Sequence, residues 1–205
     1  MRLKLPRLSP RTLRRIADFD NAVERQVTRL RGNPVADRVF YTASSLGEHG
    51  TIWLIFGALR GLRSEHDWKA AVRVGAGVGI ESAVVNLGVK SIFRRRRPVP
   101  TFAHPLPFRQ PRTSSFPSGH ATSAFTAAAL LSEDDRLWPI YYATAIVVAT
   151  SRVYVKIHHA SDVVGGIAMG MVMGRIGRRL YPLTRMSADT GALGMPQSPG
   201  GLHRS

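Results

Sequence analysis

The 205-residue sequence predicts an all-α fold, a polytopic membrane helical bundle of about five spans with an amphipathic interfacial helix at its N-terminal end. Three observations carry this expectation. Apolar segments recur at residues 41–59, 70–89, 119–131, 137–151 and 163–173, and charged or proline-rich connections separate them. The formal net charge is +16, yet the basic residues crowd into those connections. A mean hydropathy near zero therefore averages two materials, arginine-rich connections and lipid-compatible helices.

Taken in order, residues 11–31 carry Leu13, Ile16, Phe19, Val23, Val27 and Leu30 at steps of three and four, the signature of an amphipathic helix. A helix packed on a soluble core would show the same pattern. The flanking arginines favour one lying among anionic headgroups. No apolar segment with a small-residue cleavage site follows the basic N-terminus, so no cleavable secretory signal is expected. None of the five apolar segments is an unbroken apolar run of about 20 residues. The first contains Glu48 and His49, the second Arg73 and Glu81, and the last three are short. One such segment fits a buried helix of a soluble protein; five in succession fit a membrane bundle.

In the last segment Gly166, Gly170 and Gly174 recur every fourth residue, a smooth stripe that lets a neighbouring backbone approach. The connection 91–117 is long, basic and carries six prolines, and a long loop without structure of its own is usually functional. The expected organisation is a basic N-terminal segment (1–39), a membrane-embedded domain (40–182) and a disordered Gly/Pro-rich tail (183–205). With no cysteine, disulfides, thiol chemistry and cysteine-ligated metals are excluded. The basic residues show no interleaved aromatic face, which argues against a nucleic-acid partner.

Three short stretches carry the chemistry: 90–98 (KSIFRRRRP), 115–120 (SFPSGH) and 151–162 (SRVYVKIHHASD). Lys90 and Arg97 are seven residues apart, nearly two helical turns, so on a helix ended by Pro98 they would share a face and close around one anion. Arg94 to Arg96 read as a cluster for anionic headgroups. Ser118 is a helix-cap residue and Gly119 removes the side chain that would block close approach. The small-residue helix behind them aims its N–H groups and dipole at the same place. His120, in its first turn, would sit beside that anion. Asp162 follows His158 by four residues, so its carboxylate can hold one imidazole nitrogen and direct the other. Arg152 adds a cation, and His159 ranks below His158 because it faces elsewhere on a helix. Two histidines and an aspartate could ligate a metal, but the cations beside them would repel one. No metal and no cofactor are therefore expected.

Lys90…Arg97-Pro98, Pro117-Ser118-Gly119-His120 and Ser151-Arg152…His158…Asp162 resemble the three signature blocks of the type 2 phosphatidic acid phosphatase family, which shares its site with vanadium haloperoxidases. The likeness extends over about 18–178 and specifies the family far better than the substrate. It implies a metal-independent phosphatase with a phosphohistidine intermediate. His158 would be the nucleophile, Asp162 its orienting carboxylate and His120 the general acid. Lys90, Arg97, Ser118, Gly119 and Arg152 would hold the phosphoryl oxygens. The expected substrate is a lipid phosphate: phosphatidic acid, phosphatidylglycerol phosphate, or a polyprenyl phosphate or diphosphate such as undecaprenyl diphosphate. The expected location is the cell membrane, as a multi-pass protein.

Alternatives are a vanadate-dependent haloperoxidase, which would resemble a larger soluble protein, and a non-catalytic lipid-phosphate binder, against which the intact His120, His158 and Asp162 speak. One departure stands out. Members of the family commonly have six spans, and here only ten residues precede the amphipathic helix, so the first span is expected to be missing. If all five segments cross, the three blocks share one side with 19 Lys and Arg against 10 on the other. The positive-inside rule then faces the site to the cytoplasm, against the family's usual outward site.

Overall fold

The computed structural model describes residues 9–100, 102 and 113–183, and all regular structure among them is helical. The expected disordered tail lies outside the described residues, apart from residue 183. Helix α1 (Pro10–Thr28) starts where Ser9 Oγ accepts the Thr12 N–H at 3.1 Å and Pro10 supplies the preset φ of a first turn. Helix α2 (Pro34–Leu46) repeats the device, with Asn33 Oδ1 accepting from the Val35 and Ala36 N–H groups at 3.0 and 3.1 Å. The apolar segment expected at 41–59 is not one helix. His49 and Gly50 take left-handed φ values of 55° and 72°, which divides it into α2 and α3 (Thr51–Gly61).

Helix α4 (Glu65–Ala83) starts at the Ser64 cap and passes through a π-helical stretch, Val84–Val89, into the single turn α5 (Lys90–Ile92). This continuous 65–92 helix is long and apolar enough to cross a membrane, with only 28% of its apolar window buried in the protein. Helices α6 (Gly119–Leu131), α7 (Trp138–Tyr154) and α8 (Ala160–Leu180) complete the bundle. Alpha-helix α6 is its axis: Ala121, Ala124, Ala127, Ala128, Leu130 and Leu131 are buried, and α4, α7 and α8 surround it.

Two features fix α6 lengthwise and sideways. At its C-terminal end the Leu131 carbonyl accepts from Arg60 at 2.6 Å and the Leu130 carbonyl from Arg73 at 2.7 Å. These are orphan acceptors of a last helical turn. Both arginines are buried, and Asp67 (2.7 Å) and Glu133 (2.6 Å) neutralise them. An arginine inside an apolar segment is thereby accounted for. Sideways, the glycine stripe lies on α6. A Cβ on Gly166 would stand 2.6 Å from the Ser118 carbonyl oxygen, one on Gly170 2.5 Å from that of Thr122, and one on Gly174 2.4 Å from Ala129 Cβ.

At Gly170 the obstacle is backbone and cannot rotate away. Gly170→Ala should destabilise the bundle by about 1–3 kcal/mol, in the range of an overpacked core. Gly79→Ala, where a Cβ meets nothing within 4 Å, should be neutral or stabilising. Thermal unfolding of the two variants in the same detergent checks the pair.

Candidate active site

All eight residues expected at the site lie at the end of the bundle where α6 begins, but local geometry differs from expectation in two of the three blocks. Lys90 and Arg97 do not share a helix. The helix stops at Ile92, Phe93 turns to extended φ/ψ (−97°, 125°), and 93–97 runs extended. Side chains on such a run alternate. Phe93, Arg95 and Arg97 are therefore part-buried and Arg94 and Arg96 exposed. The run pairs with the loop before α6: the Ser115 N–H donates to the Arg95 carbonyl at 2.9 Å, and the Arg95 N–H to Ser114 Oγ at 3.2 Å. A residue preceding proline avoids the helical region, so Pro98 already forbade a helix through Arg97.

The third block is also not one helix. Arg152 closes α7, His158 sits in the connection, His159 is the N-cap of α8, and Asp162 is in the first turn. The Arg152 carbonyl accepts both the Ile157 and His158 N–H groups at 3.1 Å, folding the connection back under Arg152. Asp162 Oδ2 accepts the His159 N–H at 2.9 Å, a capping box at the start of α8. Its distance from His158 Nδ1 is 3.7 Å, within electrostatic reach and slightly long for a hydrogen bond.

The second block behaves as expected. Ser118 occupies the N-cap of α6, yet its buried hydroxyl caps nothing and is left without a partner. Its N–H donates to the Asp162 carbonyl at 3.0 Å, which joins the start of α6 to the start of α8. The Lys90 ammonium lies 3.4 Å from where a Gly119 Cβ would be, so Gly119 leaves room for it against the helix N-terminus, and Asn86 Oδ1 holds it at 2.9 Å. His120 bonds the Ser44 backbone and keeps Nε2 unpartnered. Arg152 reaches the Ser44 hydroxyl and keeps Nε unpartnered.

Arg97 donates to His158 Nε2 at 3.1 Å and is steadied by the Thr113 (3.1 Å) and Ser114 (3.2 Å) carbonyls. A guanidinium bonded there requires a lone pair on Nε2, so the proton belongs on Nδ1, facing Asp162. Burial keeps the His158 imidazole neutral. Its pKa falls from 6.5 to about 4, with Arg97 and Arg152 adding to the depression and the Asp162 carboxylate opposing it. Burial likewise lowers the Arg97 pKa from its ordinary value, partly offset by Asp162.

Sequence reasoning missed four residues. Arg95, taken for a headgroup cation, donates to Asp162 Oδ1 at 2.7 Å. Ser115 donates to Asp162 Oδ2 at 2.5 Å. Asp20 of α1 accepts from Arg95 at 2.6 Å. Glu81 is wholly buried, takes a hydrogen bond from Ser123 one turn into α6, and acts electrostatically on Lys90. The signal for Arg95 was available, since period-two side chains before a proline put it on the Arg97 side.

The arrangement suits an oxyanion: Lys90, Arg97 and Arg152 lie near the buried N-terminus of α6, and Ser118 Oγ, His120 Nε2 and Arg152 Nε are buried without partners. The sequence profile of the PAP2 superfamily matches residues 70–185, more than half of the chain. The protein belongs to this family of phosphatases. A decaprenylphosphoryl-5-phosphoribose phosphatase of Mycobacterium tuberculosis is 37% identical over 139 residues, covering 65% of this chain and 73% of the relative. The fold matches the PAP2-type phosphatidylglycerolphosphate phosphatase of Bacillus subtilis with a TM-score of 0.63, at 23% identity over 81% of this chain and 86% of that one. It matches Aquifex aeolicus LpxE with a TM-score of 0.61, at 25% identity over 77% and 93%.

Proposed function

We propose that this PAP2 phosphatase is a multi-pass membrane enzyme that hydrolyses a lipid phosphomonoester or diphosphate, without a metal ion, through a phosphohistidine on His158. The observation that carries the reading is the Arg97 guanidinium resting on His158 Nε2 among buried, unpartnered donors. A phosphoryl group entering there offers oxygens to Arg97, Lys90, Arg152, Ser118 and the α6 N–H groups, and Nε2 then attacks phosphorus. Phosphoryl transfer is largely positioning and charge stabilisation, which these residues supply. Asp162 stabilises the Nδ1–H as charge develops on the ring. His120, protonated on Nε2 once the phosphoryl anion lies beside it, gives that proton to the departing oxygen; it then takes a proton from the water that attacks phosphorus and releases phosphate from His158.

The named relative is a phosphatase of decaprenylphosphoryl-5-phosphoribose, which favours a polyprenyl-linked phosphate over a glycerolipid here. Membrane residence is supported by the outward apolar side chains of the bundle, among them Leu54, Leu59, Ile80, Leu87, Ile146 and Val172. Helix α1 also exposes Leu13 and Phe19, as an interfacial helix would. The five proposed spans are α2 with α3, the 65–92 helix, α6, α7 and α8; of these the 65–92 helix is by itself long and apolar enough to cross a membrane. The proposed domains are the N-terminal segment with α1 (1–39), the membrane-embedded phosphatase (40–182) and the tail (183–205).

Turnover of a lipid phosphate by the purified protein should survive excess chelator, because side-chain cations neutralise the phosphoryl oxygens. Orthovanadate should inhibit, since a trigonal-bipyramidal adduct on His158 mimics the transition state. Activity lost in chelator and restored only by a divalent metal overturns the reading.

The two histidines should separate. His158→Ala should abolish turnover and any acid-labile phosphoenzyme on every substrate. His120→Ala should cost on the order of 10²–10⁴-fold with a lipid alkoxide leaving group and much less with an aryl oxide, which needs little protonation. Equal losses on both substrates argue against His120 as the acid.

The site is proposed to face the cytoplasm, from the basic residues on its side. Leu62 is 84% exposed at the opposite end, and Arg94 is exposed beside the site. With no native cysteine to interfere, Leu62→Cys should react with an impermeant thiol reagent on intact cells and Arg94→Cys only after lysis. The reverse pattern shows an outward site.

A further inference from the structure

Asp20 sits midway along α1, in a helix whose polar side should face water and headgroups, yet it is only 7% exposed. Its Oδ1 accepts the Ser161 N–H at 2.7 Å, and its Oδ2 accepts the Ser161 hydroxyl at 2.9 Å and Arg95 at 2.6 Å. The other arm of Arg95 donates to Asp162 Oδ1 at 2.7 Å and to Ser161 Oγ at 2.6 Å. One guanidinium thus bridges two carboxylates, one on α1 and one beside His158. Asp162 Oδ2 is already held by Ser115 and by the His159 N–H. Arg95 therefore sets the remaining freedom of that carboxylate, and Asp20 sets Arg95.

Asp20 is not what attaches α1. Val23 and Val27 pack on the core, and Arg31, just beyond the helix, donates to the Tyr154 carbonyl at 2.9 Å and the Val153 carbonyl at 3.1 Å. A buried carboxylate whose side-chain hydrogen bonds go to Ser161 and Arg95, and to neither of those anchoring groups, is placed to act on its neighbours in the site.

We propose that Asp20 is a positioning residue for the phosphatase reaction, holding Asp162 against His158 through Arg95 and Ser161, so that turnover depends on α1 being seated on the bundle. The inference rests on the roles of His158 and Asp162 given under the proposed function. It predicts a defect in the chemical step, because Asp20 is separated from the phosphoryl group by three residues, Arg95, Asp162 and His158. A small displacement of an orienting carboxylate lowers kcat on the order of tenfold. KM should hold, since Lys90, Arg97 and Arg152 are untouched.

The test is a double-mutant cycle on the full chain in detergent, with kcat and KM measured on an aryl phosphate and a polyprenyl phosphate. Asp20→Asn should lower kcat about tenfold with KM within twofold of wild type, and should add nothing in an Asp162→Asn background, where the group it positions is gone. Arg95→Lys, which keeps the charge but cannot bridge two carboxylates, should reproduce that loss and also add nothing to Asp162→Asn. Wild-type kcat in Asp20→Asn overturns the proposal, and so does an equal further loss in both backgrounds, the mark of a merely structural role. If Asp20→Asn does not fold, the Arg95→Lys cycle decides by the same two criteria. Absence of turnover in the wild-type protein on every phosphate ester would instead sink the proposed function itself.

Discussion

The close seating of α8 on α6 is the constraint on which the site depends. Three glycines on one face of α8 remove the side chains that would hold the helices apart, and the Ser118 N–H then reaches the Asp162 carbonyl at 3.0 Å. That bond places the first turns of two helices side by side. One turn presents Ser118, Gly119 and His120; the other presents Asp162 and, just before it, His158. In a bilayer there is no hydrophobic gain in bringing helices together, so close van der Waals packing of small residues has to supply the association. The same seam that holds the bundle therefore sets the distance between His120 and His158.

Charge is the second constraint. Arg97, Arg152, Lys90 and Arg95 crowd one end of the bundle, and their partners are unequally shared. Arg95 has two carboxylates, Asp20 and Asp162, while Arg97 rests on a neutral imidazole and backbone carbonyls, and Arg152 on a hydroxyl. Leaving buried cations without anions is costly, and on the proposed function an arriving phosphoryl group would supply the missing counter-charge. The opposite end of α6 differs. There Arg60 and Arg73 pair with Asp67 and Glu133 and serve the helix C-terminus. One end of the helix has its arginines paired with carboxylates and holds the fold; the other has buried cations without carboxylate partners, which suits the proposed ligand.

Much of this was legible in the sequence. Periodicity found α1, and apolar runs found α6 and α7, to within a few residues, and the four-residue glycine repeat named the face of α8 that touches α6. Ser118, Gly119, His120, His158 and Asp162 were found because short-range spacing determines how neighbours on one turn meet. What failed was the assumption that each block was one regular element. Lys90 and Arg97 converge by an extended run that loops back, and His158 meets Asp162 across a helix start. Arg95 was hidden in a run of four arginines, where composition is uniform and only backbone period separates partners from solvent-facing neighbours. Asp20 lay some 140 positions from Ser161, and no local pattern reports a pairing at that range. The left-handed His49 and Gly50 were likewise masked by a hydrophobic run that continues through the break.

On the five-span reading, the length of α6 sets how deep the cradle lies. Thirteen residues rise about 20 Å, against a hydrocarbon core of about 30 Å. With its C-terminal end tied to Arg60, Arg73 and their carboxylates, charged groups that belong at the far interface, the N-terminal end cannot reach the plane of the near headgroups. It stops below that plane unless the bilayer thins. A lipid phosphate would then have to be drawn inward past its resting depth. The cations around the N-terminus of α6 would favour that descent. Depth also keeps water scarce around His158, which strengthens each charged contact to the phosphoryl oxygens. A short central helix, tied at one end by ion pairs and with uncompensated cations at the other, thus accounts for the burial of the site and fits the proposed substrate, an anion carried on a lipid.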